Sequence, residues 1–480
     1  MKFIVGNVQT KVVIGGSDNL CKVDFMKELR EYMRERPKGY GYSSAYREHK
    51  WDGYSYFITK AGFFATGFLP QVILYVKELC SSVQIEIVDE RVNIPAFVQD
   101  ADFVEDLGNG IVMRDYQTKV VKAVRDSMAE NIPFHRGVID VATNGGKTVI
   151  MAGLIANITN PKVLILIDRV LVFREMVEFF GQFWSVGQIG GGQQEFKDIT
   201  VCMAKTLHNS MSSLNVQKKL NEYDVVIIDE GHKAASDTYV AIMKHINAGC
   251  RLIMSGTPLD MDDKCSKMII LGLTGRRLAK ITNDEMIQAG VSQKPKVNIH
   301  LIKDNAVILA STSYDEQLNE LYGSEIWLSK LLELLGNQDK FTLVTFQFKK
   351  HGELIYDYLV KAGVECEWTH GQDPERFDKI DNFKRGRTGT LIASMILKEG
   401  VNAPIIQRLV RMEVGKAKIT TKQVVGRAIR TDGKSEEVEV HDFFIEGKYT
   451  GSHSIKRIGT YRNEGFEITF HYDTKNGRPR

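Results

Sequence analysis

The chain has 480 residues, of which 43% are hydrophobic, and this length allows two or three domains with separate cores. Its 63 lysines and arginines nearly balance 60 aspartates and glutamates, so the net charge of +3 neither demands nor excludes a polyanionic partner, which local basic patches would have to bind. Widely spaced cysteines argue against a zinc or iron–sulfur site, and the lack of a signal peptide or a membrane-length apolar run predicts a cytoplasmic protein.

The first 105 residues are expected to form a small α+β accessory domain. Asp24 can cap a helix that carries Phe25 and Leu29 on one face. Residues 70–79 have a helical pattern, and residues 82–88 alternate like a strand.

Within this domain, residues 34–57 interleave cations with aromatic rings. Such a composition suits contacts to phosphates and stacking on bases. We take Arg47, Lys50 and Trp51 as candidate DNA contacts. The alternative, equally open from the sequence, is a tyrosine-rich strand pair with a charged outer face.

Residues 141–148 join an apolar strand to an apolar helix through a turn that contains two glycines. The glycines let backbone N–H groups close on phosphate oxygens at a helix N-terminus, whose dipole favours anions. Lys147 would neutralise the β- and γ-phosphates of ATP, and the Thr148 hydroxyl would hold Mg²⁺. An ordinary Gly-Gly turn before a helix is the alternative. The predicted ATP-binding residues of this loop are Thr143, Gly145, Gly146, Lys147 and Thr148.

Residues 225–228 are apolar and lead into Asp229 and Glu230, which places two carboxylates at the carboxyl end of a buried strand. Ligands bind at that edge of an open parallel sheet. Asp229 can hold the Mg²⁺, and Glu230 can orient and deprotonate an attacking water. A later apolar strand ends at Ser255, in a segment with small hydroxyl residues.

Residues 296–325 have mixed charge and weak periodicity, and they are expected to connect to a second unit, residues 326–480. That unit repeats the alternation of strands and helices without a second phosphate loop. It contains Gln423, Arg427 and Arg430; the two arginines share a face if the segment is helical. Such a pair is commonly solvated or ion-paired, but beside a nucleotide it can act as arginine fingers on the γ-phosphate.

Taken in order, the segments from residue 112 to about residue 430 resemble the motifs of superfamily 2 helicases of the DExH type. The resemblance implies an α/β fold in which two RecA-like parallel-sheet domains, residues 106–295 and 326–480, use ATP and Mg²⁺. Val141, Gly256 and Asn402 depart from the usual residues of the family. These departures leave the residues that the chemistry requires in place.

The resemblance also implies roles for single residues. Gln117, in Arg-Asp-Tyr-Gln, would read adenine, and Gly400 would belong to the ATP site. Catalytic roles fall to Glu230, Gln423, Arg427 and Arg430. The coupling of hydrolysis to movement falls to His232, Ser255 and Thr257.

Within the superfamily, residues 50–53, Thr66, Gly67 and the basic stretch 453–466 resemble the UvsW-like branch-migration helicases of phages, those of T5-like phages included. That group implies action on branched or forked DNA in replication, recombination and repair, inside an infected bacterium. It leaves the protein partners unknown.

Other functions remain open from the sequence. The motor motifs do not distinguish DNA from RNA, so an RNA helicase is one alternative. A clamp that binds DNA under the control of ATP, without unwinding, is another. A small-molecule P-loop kinase would explain neither the second domain nor its two arginines.

Overall fold

The computed structural model describes residues 1–15, 24–142, 145–256, 258–259, 261, 263–292, 295–310, 313–336, 340–394, 406–415, 421, 425 and 438–472. The chain divides into two compact units, Met1–Ile281 and Thr282–Arg480. Within the described ranges, no helix combines the length and the apolar character needed to cross a bilayer.

The N-terminal part of the first unit is an α+β domain. Its four-stranded sheet has the order β5-β2-β1-β6, in which β1 pairs with β6 in parallel and the other pairs are antiparallel. Its elements are β1 (Lys2–Val5), β2 (Gln9–Val13), α1 (Phe25–Tyr32), β3 (Arg34–Glu35), α2 (Ser44–Arg47), β4 (Ser55–Tyr56), β5 (Phe63–Ala65), α3 (Leu69–Leu79) and β6 (Glu86–Asp89).

Two local predictions for this domain can be compared with the structure. The Asp24 side chain caps α1 by accepting a hydrogen bond from Lys27 N at 3.1 Å, and Phe25 and Leu29 are buried, so the capped helix is confirmed. The strand expected at residues 82–88 begins later, because pairing with β1 sets its register from Glu86 onward.

The centre of the first unit is an eight-stranded sheet with helices packed on it. The strand order is β12-β11-β13-β10-β14-β15-β9-β16, and all neighbours are parallel except the antiparallel β11–β12 pair. The elements are α4 (Asp115–Arg125), β7 (Met128–Ala129), β8 (Ile132–Pro133), β9 (Arg136–Val141), α5 (Lys147–Ala156), β10 (Val163–Ile167), α6 (Val170–Gly181), β11 (Val186–Gly190), β12 (Gln193–Glu195), β13 (Ile199–Met203), α7 (Ala204–Ser210), α8 (Leu214–Leu220), β14 (Val225–Asp229), α9 (Asp237–His245), β15 (Cys250–Ser255), α10 (Lys264–Leu273) and β16 (Arg277–Ile281).

The order of this sheet brings three predicted strand ends together. Strands β10 and β14 are buried along their whole length, as continuous apolar runs in a parallel sheet predict. Strands β9, β15 and β14 are direct neighbours, so their carboxyl ends lie side by side at one edge. The phosphate loop follows β9, while β14 ends at Asp229 and β15 at Ser255.

Buried polar contacts fix the N-terminal domain to this central sheet. The Arg136 guanidinium, at the start of β9, donates from Nη1 to Asn7 O at 2.6 Å and from Nη2 to Leu273 O at 3.1 Å. A Cβ atom on Gly67 would lie 2.2 Å from Leu271 O, so the two backbones are in direct contact there. The accessory domain is therefore packed as part of the first unit.

The second unit contains a seven-stranded parallel sheet with the order β19-β20-β18-β21-β22-β17-β23. The described elements are α11 (Asn283–Gln288), β17 (Pro295–Ile302), α12 (Asn305–Leu309), α13 (Tyr314–Tyr322), α14 (Glu325–Leu335), β18 (Thr342–Phe346), α15 (Lys349–Lys361), β19 (Glu367–Thr369), α16 (Arg376–Lys384), β20 (Thr390–Ser394), β21 (Arg408–Arg411), β22 (Val438–Ile445), α17 (Lys448–Asn463) and β23 (Glu467–His471). The expected class, α/β with two parallel-sheet domains and a small α+β accessory domain, is confirmed.

Residues 296–325 differ from the connection that the sequence suggests. Strand β17 lies inside the second sheet, between β22 and β23, and α12 and α13 follow it. Its polar residues Asn298 and His300 interrupt the apolar pattern, yet His300 is only 4% exposed. A strand that buries polar side chains does not show the alternation from which strands are predicted.

The second unit also buries a histidine among aromatic rings. The ring of His351 is fully buried, with its centroid 3.9 Å from that of Tyr322 and 5.2 Å from that of Trp327. Among the described residues, neither ring nitrogen has a hydrogen-bond partner. Burial lowers the pKa of His351 to about 3, so the native form is the neutral ring.

We expect His351→Phe to make the second unit less sensitive to acid. A histidine with a lowered native pKa contributes stability above its unfolded pKa of about 6.5, and that stability is lost as the pH falls from there towards 3. The wild-type free energy of unfolding should therefore fall by up to about 1.4 kcal/mol per pH unit from this residue alone. Urea denaturation, followed by tryptophan fluorescence at neutral and mildly acidic pH, measures the slope. His208→Phe, at an exposed position, is the control; an unchanged slope in His351→Phe contradicts the argument.

Candidate nucleotide site

The phosphate loop leaves β9 after Val141 and enters α5 at Lys147. Gly146 caps this helix with φ +73°, a left-handed conformation that favours glycine. Gly145 N donates to Ala142 O at 3.0 Å, which closes the turn. Backbone N–H groups at the start of α5 are thereby left to face an anion.

Gln117, in the first turn of α4, contacts the phosphate loop. Its side chain is 1% exposed, and Nε2 donates to Gly145 O at 3.1 Å while Oε1 accepts from Arg114 N at 2.9 Å. A Cβ atom on Gly146 would lie 2.3 Å from Gln117 Nε2. Gln117 is therefore a buried residue of α4 that hydrogen-bonds to the loop; its contact with adenine stays a prediction.

Two carboxylates face the loop from the end of β14. Asp229 is 5% exposed, and its Oδ1 lies 3.2 Å from Lys147 Nζ. Glu230 follows with φ +53°, a conformation that is strained for a residue with a Cβ. Its Oε1 accepts a hydrogen bond from Lys147 Nζ at 2.9 Å. From β15, the Ser255 hydroxyl approaches Glu230 Oε2 at 3.5 Å.

The charges in this cluster shift one another's pKa. Burial is the largest influence on Lys147 and lowers its pKa, but Asp229 and Glu230 more than offset it, so the pKa lies above its usual value. Burial also raises the pKa of Asp229, against the opposing effect of Lys147. One ammonium between two carboxylates holds the cluster together without neutralising it.

The residues present fit a nucleotide and a divalent cation. Lys147 lies at the N-terminus of α5, where a phosphate binds, and Thr148 follows it in the first turn. Asp229 Oδ1 is buried, and its partner is the Lys147 ammonium at 3.2 Å. An oxygen of this kind, beside a second carboxylate, suits a hard cation such as Mg²⁺.

The other predicted site residues stand as follows. The backbone of His232 lies in the turn Gly231–Lys233, directly after Glu230. The side chain of His232 lies outside the described part of the chain. The same holds for Thr143, Thr257, Gly400, Gln423, Arg427 and Arg430 as whole residues.

The sequence did not single out a buried charge cluster in the second unit. Asp442 of β22 accepts hydrogen bonds from Arg457 Nη2 at 3.0 Å and from the Tyr461 hydroxyl at 2.6 Å. Arg411 Nε donates to Glu413 Oε1 at 2.7 Å and Arg411 also pairs with Asp442. All five side chains are at most 2% exposed. The basic stretch 453–466 therefore contributes to a core as well as to a surface.

This cluster also contacts the backbone that follows β21. Arg457 Nη1 donates to Val414 O at 3.2 Å. Val425, between Gln423 and Arg427 in the sequence, is buried in the same core as Tyr461. The signal that could have indicated this role is the spacing of Arg457 and Tyr461, which puts them on one face of α17.

The three candidate DNA contacts come together in the N-terminal domain. Arg47, Lys50 and Trp51 line an open pocket of about 370 Å³, which we call the Trp51 pocket. Arg47 and Lys50 are exposed. Trp51 is half-buried, and its Nε1 donates to Tyr54 O at 2.8 Å, so part of its role is to hold the loop. The other residues that line the Trp51 pocket are Tyr46, His49 and Asp52.

Two parts of the chain match known families. Residues 110–260 match the family described as Type III restriction enzyme, res subunit, and residues 326–432 match the Helicase conserved C-terminal domain. The chain is similar to the ATP-dependent DNA helicase UvsW of Enterobacteria phage T4, with 20% identity over 93% of this chain and 95% of that protein. It is also similar to the DNA 3'-5' translocase XPB2 of Sulfurisphaera tokodaii, with 23% identity over 68% of this chain and 80% of that protein. In fold it resembles S. cerevisiae Dbp5 bound to RNA and ADP BeF3, with a TM-score of 0.51 and 16% identity over 75% of this chain and 89% of that one.

We expect Gly146→Ala to weaken nucleotide binding at least about tenfold, or 1.4 kcal/mol. The added methyl group would collide with Gln117 Nε2 and force the loop out of its left-handed turn. The affinity for a fluorescent ATP analogue measures the effect. Gly108→Ala is the matched control, because Gly108 also has a positive φ, of +83°, but has no atom within 4 Å of the new Cβ. Equal affinities in the two variants would contradict the role of this turn.

Proposed function

Because the chain belongs to the superfamily 2 helicases, we propose that it is an ATP-driven DNA translocase that remodels branched or forked DNA in replication, recombination and repair. The observation that carries the proposal is the partly buried cluster of Lys147, Asp229 and Glu230, which places one ammonium group beside two carboxylates at one sheet edge, where ligands bind in parallel sheets. Similarity to a phage DNA helicase over nearly the whole chain supports DNA as the polymer. Fork regression and branch migration as the activity, and the cytoplasm of an infected bacterium as the location, enter the proposal from the family resemblance alone.

Phosphate binding falls to the loop. Lys147 would exchange the two carboxylates for the β- and γ-phosphates of ATP, and backbone N–H groups around Gly145 and Gly146 would contact the phosphate oxygens. The hydrogen bond from Gln117 to Gly145 O supports this arrangement, because it keeps the turn in shape before the nucleotide arrives.

Water activation falls to Glu230. When Lys147 moves to phosphate, the Glu230 carboxylate becomes available to accept a proton from the attacking water. The Ser255 hydroxyl, at the end of β15, lies 3.5 Å from Glu230 Oε2, so a movement of Glu230 would change a contact of β15. Thr148 and Asp229 would hold Mg²⁺, which supplies charge neutralisation for the phosphates.

Further roles enter the proposal on the family resemblance. Arg427 and Arg430 would act as arginine fingers on the γ-phosphate, with Gln423 and Gly400 also at the ATP site. His232 and Thr257 would join Ser255 in coupling hydrolysis to movement along DNA. Each cycle of ATP binding and hydrolysis would then advance the protein along the strand, mainly through phosphate contacts.

We expect Glu230→Gln to lower kcat for ATP hydrolysis by roughly 10²- to 10⁴-fold, because the amide cannot accept the proton from water. ATP affinity should change little, since Lys147 and the loop are kept. Steady-state hydrolysis and equilibrium binding of ATP separate the two effects. Glu195→Gln, an isosteric change at an exposed position of the same sheet, is the control. Near-normal turnover by Glu230→Gln would remove Glu230 from the role of base.

We expect ATP hydrolysis to be stimulated most strongly by branched DNA. The test compares single-stranded DNA, linear duplex, a four-way junction and matched RNA at one salt concentration, because phosphate contacts make affinity depend on salt. Strand displacement from a triplex and branch migration are measured in parallel. Stimulation by RNA alone would identify an RNA helicase. Hydrolysis without displacement or migration would identify an ATP-gated clamp on DNA.

A further inference from the structure

Local hydrogen bonds fix the walls of the Trp51 pocket. Trp51 N donates to Ala45 O at 3.1 Å, and Trp51 Nε1 donates to Tyr54 O at 2.8 Å. Gly53 has φ +82°, and a Cβ atom there would lie 2.9 Å from the ring of Tyr46. The volume, about 370 Å³, falls in the roughly 300–1,000 Å³ range of small-ligand pockets. A preformed pocket binds without the cost of ordering its walls.

The lining of the pocket suits a nucleotide. Arg47 and Lys50 are exposed cations, and the rings of Tyr46 and Trp51 meet edge to face at 6.5 Å. Lys50 pairs with Glu48 at 2.6 Å on the open surface. Exposed pairs of this kind are weak, so a phosphate can replace the carboxylate. Rings next to two cations provide a stacking surface for a base and a site for its phosphate.

The pocket continues into a row of stacked arginines and tyrosines, which we call the arginine–tyrosine ladder: Arg34, Arg36, Tyr40 and Tyr54. The Arg36 guanidinium lies 4.8 Å from the centre of the Tyr40 ring and 4.6 Å from that of Tyr54, and Arg34 lies 4.1 Å from the latter. Tyr40 in turn contacts Tyr46 of the pocket at 5.0 Å. A strand that leaves the pocket would meet cations and rings along this path.

We propose that the Trp51 pocket holds one unpaired nucleotide, with its base against the rings, its phosphate on Arg47 and Lys50, and its strand along the ladder. This inference rests on the proposed function, because it takes DNA as the polymer. Bases inside a duplex are stacked on both faces, so the rings of a small pocket reach only a base that has left the stack. Forks, flaps and branch points supply such bases, and the pocket would let the enzyme select them.

The test measures binding to three labelled DNAs by fluorescence anisotropy at one salt concentration. They are a blunt duplex, the same duplex with a short single-stranded flap, and that duplex with a flap of abasic nucleotides. We expect the normal flap to bind roughly 5- to 100-fold more tightly than the abasic flap, because stacking on a protein ring is worth about that factor per base. Quenching of the Trp51 fluorescence by the normal flap, absent in Trp51→Phe, gives a second readout.

Variants locate the effect. Arg47→Ala and Lys50→Ala change exposed side chains and should reduce binding to the flap, while Lys60→Ala, an exposed lysine of the same domain outside the pocket lining, should not. Equal binding of the normal and abasic flaps by the wild type overturns the pocket proposal and leaves the translocase proposal standing. Equal affinities of Arg47→Ala, Lys50→Ala and Lys60→Ala for the normal flap have the same meaning. Failure of every DNA to bind or to stimulate hydrolysis overturns the proposed function and this inference together.

Discussion

The candidate nucleotide site depends on one ammonium group that lies between two carboxylates. Lys147 reaches Asp229 and Glu230 only because β9 and β14 run in parallel with β15 between them, so that their ends share one edge. A buried carboxylate without a cation would cost several kcal/mol, so the loop and the strand end stabilise each other. The contact between Lys147 and the two carboxylates is therefore the contact that a bound phosphate would rearrange, and such a rearrangement would tie binding of the nucleotide to a change at Glu230.

Much of this site could be predicted because each part is short in sequence. The phosphate loop, the Asp229–Glu230 pair and the strand that ends at Ser255 are local patterns, and the rule for parallel sheets places their ends together. Contiguity likewise brought Arg47, Lys50 and Trp51 to one pocket. Partners that are distant in sequence leave no such pattern. The bond from Gln117 to Gly145 O, for example, joins a helix and a loop that the sequence shows separately.

Burial of polar groups explains the remaining differences. Arg457 and Tyr461 have the composition of a basic surface, yet Asp442 accepts from both of them inside the second unit. Likewise β17 escaped prediction because His300 is polar and buried. A buried charge is tolerated only where its partners are already placed, and those partners come from other strands and helices. Buried polar clusters of this kind can be identified only once the fold is known, because composition and periodicity describe one segment of the sequence at a time.

The contact between Asn7 and the central sheet has a consequence for synthesis on the ribosome. Asn7 accepts from Arg136 Nη1 through its backbone oxygen, and its side chain donates to Asn247 O at 2.6 Å. The strands β1 and β2, which flank Asn7, emerge first, whereas Arg136 follows Asn7 by 129 residues and Asn247 follows it by 240. The surface of the accessory domain around Asn7 and Gly67 therefore stays uncovered until α10, which packs against Gly67, has been translated. Contacts of such high sequence separation slow folding, and this edge is where a nascent chain is open to chaperones and to misassembly.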